Sequence, residues 1–326
     1  MDIRNLKHTA QNALNSASCD PKRLVLIHSC VSLGTLLAVT LISTVLNQQI
    51  ENTAGLGGMG MRSILSTGAS ALQLVVNLLL PIWNLGFIVV SLRLSRGQDA
   101  SPATLMESLR RTGPVLRLLL CKELILIVLA FICAYPSTII FLATPLAKPM
   151  MELLTPLLMD PNLDPAAIVL EEAAVIQAIM PMFLIYIPIL LAVSIPIFYH
   201  FRMANYLIMD TPGCGAIAAL VGSVKLMRRN CVKLLKLDLS YWWYYAALTV
   251  IASISYTDLL LSVLGIASPL SPELTLLTTY GIYCLLQLGL DYLAKPQVEV
   301  AYALVYDSLK PASQPQSLSV RHPWED

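Results

Sequence analysis

The four histidines of this 326-residue chain are His8, His28, His200 and His322. They are its first candidates for proton transfer or metal binding. None has a carboxylate or nucleophile at catalytic-motif spacing, and no HExxH, GxSxG or Walker sequence occurs. The acidic run Glu152, Asp160, Asp164, Glu171 and Glu172 lacks EF-hand spacing and its turn glycine. It reads as a solvated outer loop or helix. The cysteines form no CxxC pair and no ligand set with histidine, which favours reduced thiols. No metal, cofactor or enzymatic activity is expected.

What remains is polar chemistry inside apolar stretches. Asn77, Asn84, Asp258 and Gln287 interrupt them, and Pro188 is the middle of three prolines with Pro181 and Pro196. Each proline removes a backbone hydrogen bond that must be satisfied by a neighbour or by water. These five positions are the candidates for a cavity that passes a small or lipid-like substrate. The plainer readings are interhelical hydrogen bonding for the asparagines and a packing kink for the prolines. Asp258 lies either within a span or in an outer interfacial segment.

A second set is basic. Lys225, Arg229, Lys233 and Lys236 recur at intervals of four, four and three. Ile217, Leu220, Val221, Val224, Met227, Cys231 and Leu234 form an apolar stripe beside them. Read as one amphipathic helix, this stretch lies flat on an anionic membrane surface. Asp210, Thr211 and Pro212 supply its cap and first-turn proline. The aromatic run Tyr241 to Tyr245 belongs at the membrane boundary.

The elements that hold these residues follow from hydropathy. The chain is 56% hydrophobic and 13% charged, with mean hydropathy +0.70. Soluble domains carry about 25% charged residues. The fold class is therefore an all-α polytopic membrane protein. Six transmembrane helices are expected, with cytoplasmic amphipathic surface helices. The spans run at about Leu24–Leu46, Ala69–Leu92, Leu116–Leu146, Ala174–Tyr199, Tyr241–Ile266 and Leu274–Leu293. Residues 3–17 form a surface helix. Ser101 and Pro102 start another, with Glu107 and Arg111 as an i,i+4 pair, and Gly113-Pro114 stops it. Asp291 sits at the inner headgroups beside Lys295. The tail from Pro296 forms one more short helix. Residues 1–310 make a single membrane domain, and 311–326, rich in Pro, Ser and Gln, read as a disordered cytoplasmic tail.

Nineteen of the 21 Lys and Arg fall on one side of this scheme. That asymmetry places both termini in the cytoplasm. With net charge +1 there is no global field for nucleic acid. The expected partners are membrane lipids and a cytoplasmic protein. Leu109 to Leu120 also parallels Met227 to Leu237, which suggests a repeated unit of surface helix and hairpin.

At these residues the chain resembles the bacterial membrane-protein family catalogued as domain of unknown function 975. The likeness is carried by Asp210, Pro212, Ser223, Met227, Leu237, Leu239 and Ser240, with Tyr241 and Trp242 following. Arg4, Leu6, Lys7, Ala10 and Leu14 resemble the family's opening, and Tyr306 to Leu309 its close. Ala218 and Arg229 depart from the usual acid and glycine. The resemblance implies a multi-span bacterial plasma-membrane protein with no established activity.

Overall fold

The computed structural model describes residues 3–52, 59–159, 172–254 and 272–310. Among these residues the regular structure is entirely helical. In chain order the helices are α1 (Ile3–Asn15), α2 (Pro21–Asn52), α3 (Met59–Ser95), α4 (Pro102–Leu105), α5 (Glu107–Arg110) and α6 (Thr112–Leu142). After a 3-10 turn at Pro145–Ala147 come α7 (Lys148–Met159), α8 (Glu172–Phe201), α9 (Ala204–Asp210) and α10 (Ala216–Met227). Last are α11 (Cys231–Ser240), α12 (Trp242–Ile254) and α13 (Pro272–Leu309).

Among the described residues four stretches are long and apolar enough to cross a membrane: Pro21–Leu46, Leu65–Ser95, Thr112–Leu142 and Ala178–Asp210. They match the first four expected spans. The expected fifth continues beyond Ile254, outside the described residues. The expected sixth and the tail helix are one element, α13, which runs unbroken through Pro296. A proline inside a helix loses one hydrogen bond, and packing on both sides can hold the helix together. Here α13 packs against α1, α2, α3 and α12.

The chain forms two compact units, Met1–Arg117 with Met203–Asp326, and Leu118–Arg202. In the first, α2, α3 and α13 pack on one another, α1 lies against α13 and α3, and α9 packs on α3 and α10. In the second, α7 and the 3-10 turn pack on α8. Within that unit Pro181, Pro188 and Pro196 all fall inside the continuous helix α8.

Several boundaries differ from expectation for local reasons. The expected amphipathic helix is broken into α10 and α11 at Arg228–Asn230. Asn230 turns the chain: its side-chain amide donates to the Leu226 carbonyl at 2.8 Å, and its own carbonyl accepts from Lys233 and Leu234. Asparagine competes with the helix backbone in this way, which makes it a helix-boundary residue. Gly113-Pro114 opens α6 instead of closing the helix before it, since proline suits a first turn. The two parallel basic segments, around Arg110-Arg111 and Arg228-Arg229, both fall at a break between helices.

Candidate functional site

The family-like Asp210 is not a helix cap. It is the last residue of α9, and α10 starts only after Gly215. Between them Pro212 is exposed and Gly213 turns the chain at φ +78°, where glycine carries no steric penalty. Asp210 points into the protein, and its side chain is only 3% exposed. Its Oδ1 accepts from Arg96 Nη1 at 2.7 Å. Its Oδ2 accepts from Lys310 Nζ at 2.7 Å and from the Tyr306 hydroxyl at 3.0 Å. Arg96 also forks onto Asp307, with Nε at 3.1 Å from Oδ2 and Nη2 at 2.6 Å from Oδ1. Tyr206 stacks on Tyr306 at 5.5 Å, and its hydroxyl reaches Glu299 at 3.3 Å.

This knot joins the residue after α3, the end of α9 and the end of α13. Burial acts against the Arg96 charge, but the hydrogen bonds it donates to Asp307 and Asp210 outweigh that and hold it above its ordinary value. Burial pushes the Tyr306 phenol up, and the charge and hydrogen bond of Asp210 push it further. A carboxylate engaged through both oxygens by donors from other parts of the chain holds elements together. Asp210 and Asp307 stand out in the sequence; their shared partner Arg96 does not. Arg96 stands just after a span, where a cation is ordinary, so its type alone does not mark it.

Neighbouring charges also pair differently from expectation. Glu107 bonds Arg93, not Arg111. Arg111 instead donates to the Met209 carbonyl at 3.0 Å and so caps the end of α9. On α10, Ser223 and Met227 are fully buried. The Ser240 carbonyl at the end of α11 accepts from Lys7 Nζ at 2.7 Å, and the same ammonium lies 4.1 Å from the Tyr241 ring centroid. Burial lowers the Lys7 pKa.

The basic candidates Lys225, Arg229, Lys233 and Lys236 are all exposed. The apolar stripe beside them is not one face: Leu220, Met227 and Leu234 are buried, whereas Ile217 is 72% exposed and Val221 is exposed too. On α11 the exposed apolar residues are Val232, Leu235 and Leu239, followed by Trp242 and Trp243. Spacings of three and four put the first three on one helix face. Lys236 lies one residue past Leu235 and Lys233 one past Val232, so the cations border that face.

The cavity candidates are scattered. Pro188 is exposed on α8, and Asp258 lies outside the described residues. Asn77 is exposed and accepts from Gln73, one turn away on the same helix, at 3.2 Å. Asn84 does bridge helices: Ser32 of α2 donates to it at 3.3 Å. Gln287 leads inward. Its amide donates to Asp291 at 3.1 Å, and Asp291 is buried within the protein. Asp291 Oδ2 also accepts from Ser29 at 2.6 Å and from Lys295 at 3.1 Å. Lys295 Nζ is 3.4 Å from His28 Nδ1. His28 stacks on Trp83 at 5.7 Å and meets Phe87 at 5.3 Å. No acid stands near His28 in the chain, so the sequence does not mark it. Asp291 is over two hundred residues away, and the α2–α13 packing brings them together.

The fold and these sites define a helical protein with long apolar helices, tied at one end by a charged knot. The chain belongs to the family described as protein of unknown function (DUF975), whose model matches residues 1–313. No curated protein and no solved structure matches it.

Proposed function

We propose that the chain is a non-enzymatic, multi-pass protein of the bacterial plasma membrane whose cytoplasmic surface helices engage anionic lipid. In this reading six helices span the bilayer and both termini are cytoplasmic. One observation carries the lipid contact. Val232, Leu235, Leu239, Trp242 and Trp243 are exposed, and Lys233 and Lys236 border them. Exposed apolar and aromatic side chains interleaved with cations suit the headgroup boundary, where each cation near an anionic surface contributes on the order of 1 kcal/mol.

The test is hydrogen exchange of the full chain in nanodiscs with and without anionic lipid. Anionic lipid is expected to raise protection across residues 217–240. Replacing Lys225, Arg229, Lys233 and Lys236 together by Gln is expected to remove that gain. Equal protection in both bilayers, or in the fourfold variant, would count against the reading.

The alternative is a transporter or channel for a small or lipid-like substrate. It is favoured by Gln287 reaching the buried Asp291. Reconstituted vesicles in which a Gln287→Leu variant changes no flux would remove that support.

A further inference from the structure

We propose that a hollow walled by α1, the start of α2 and the middle of α13 binds the phosphoethanolamine headgroup of a lipid, a phosphate diester that carries a primary ammonium. Lys22 takes the phosphate and Asp20 the ammonium. The proposal rests on the chain being embedded in a bilayer, not on the lipid contact of α10 and α11.

The hollow has a volume of about 360 Å³. Small-molecule sites span roughly 300–1,000 Å³. Three segments far apart in the sequence build it. Gln11 and Asn15 come from α1, Asp20 and Lys22 from the start of α2, and Leu293 and Gln297 from α13. All three belong to the same compact unit, in which α1 and α2 both pack on α13.

Its place along the helices marks the headgroup layer. The apolar run of α2 begins just after Lys22 and Arg23, and that of α13 ends at Leu293. Lys22 and Leu293 both line the hollow, so the two runs stop at its rim. A ligand there meets polar side chains inside and, at the edge, a leucine that is 72% exposed. A lipid is polar at one end and apolar at the other, in the same order.

The charges choose the headgroup. The wall carries one cation and one carboxylate and is electrically balanced. A simple anion would be repelled by Asp20 and a simple cation by Lys22, whereas a zwitterion satisfies both. Both groups have capacity left. Asp20 Oδ1 accepts from the Lys22 backbone N–H at 3.0 Å and so caps α2. Among the described residues Oδ2 makes no hydrogen bond. The Lys22 ammonium lies 5.2 Å from the Tyr292 ring centroid and pairs with no carboxylate among the described residues. The Gln11 amide donates to Asn15 at 3.3 Å, which leaves the Gln11 carbonyl oxygen as a second acceptor. A primary ammonium has three N–H groups for such acceptors. A choline headgroup has none.

The test is native mass spectrometry of the full chain in detergent micelles that hold equal amounts of phosphatidylethanolamine and phosphatidylcholine. The first should be retained roughly tenfold more, the worth of one charge-assisted hydrogen bond. Asp20→Asn should bring the two lipids level, since asparagine keeps the cap and loses the charge. Lys22→Gln should lower retention of both. Equal retention by the original chain, or a preference that survives Asp20→Asn, would overturn the proposal. An adduct with soluble phosphoethanolamine and none with either lipid would overturn the assignment to a lipid. Both lipids are neutral, so replacing Lys225, Arg229, Lys233 and Lys236 by Gln should leave their ratio unchanged. The anionic-lipid contact and this site are thus read separately. Flotation with phosphatidylcholine liposomes reports embedding, so an embedded chain without the preference counts against the site alone.

Discussion

Asp210 takes three donors on two oxygens, from Arg96, Lys310 and Tyr306. Removing one partner of a buried pair costs about 3–5 kcal/mol, because the other charge stays buried. Arg96→Gln removes the cation that Asp307 pairs with and one of the three donors to Asp210, so its thermal midpoint in detergent should fall. Arg96→Lys should recover only part of the loss, since one ammonium cannot fork onto Asp307 and still reach Asp210. Tyr306 gives a pH signature. Its folded pKa lies above the unfolded value of about 10. Below that pH the phenol is neutral in both states and adds no pH dependence. Above it the unfolded chain releases the proton first, so stability falls as pH rises. Tyr306→Phe should flatten that alkaline fall relative to the original chain, read as unfolding midpoint against pH. The residue types of this knot were legible in the chain, but its geometry was not. An acid followed by Thr-Pro reads as a cap, and only the packing of α9 on α3 shows that Asp210 faces Arg96 instead.

At the scale of elements, α3 meets α4 and α5 with almost no clearance at Gly86. A Cβ there would sit 2.1 Å from the Leu105 carbonyl oxygen and 3.1 Å from Ser108 Oγ. The first neighbour is backbone and cannot swing aside. Gly86→Ala should therefore lower the unfolding midpoint, at a cost of about 1–3 kcal/mol as for overpacked cores. An unchanged midpoint would mean that α3 and α4 do not stay in contact. Hydropathy located α2, α3, α6 and α8 well, since a long apolar run has few alternatives. It did worse at α10 and α11. The period of apolar residues passes straight through Arg228–Asn230, and no glycine or proline marks the break. It also separated α13 into two pieces at Pro296. Proline is a reliable stop only where nothing else supports the helix, and α13 is flanked by α1, α2, α3 and α12.

For the whole molecule, the count of crossings is the decisive quantity. Six crossings put Ser101 and Ser313 on the same side of the membrane. Single cysteines there, in a cysteine-free background, should react alike with an impermeant maleimide added from either face. Opposite labelling would require an odd number of crossings between them. The charge asymmetry behind this expectation was fully legible, because it depends on counting and not on contacts. The buried cluster at His28 was illegible for the converse reason: its members come from the first and last long helices.

The charged knot has one more consequence, for how the chain is made. Asp210 finds Arg96 across 114 residues and Lys310 across 100. At about 5–20 residues per second, roughly 5–20 s separate the synthesis of Asp210 from that of Lys310. Throughout that interval the carboxylate lacks two of its three donors. The last helical turn of α13 thus acts as the latch on a half-built protein. A nascent chain that stalls before Tyr306 leaves Asp210 with Arg96 as its one partner of the three.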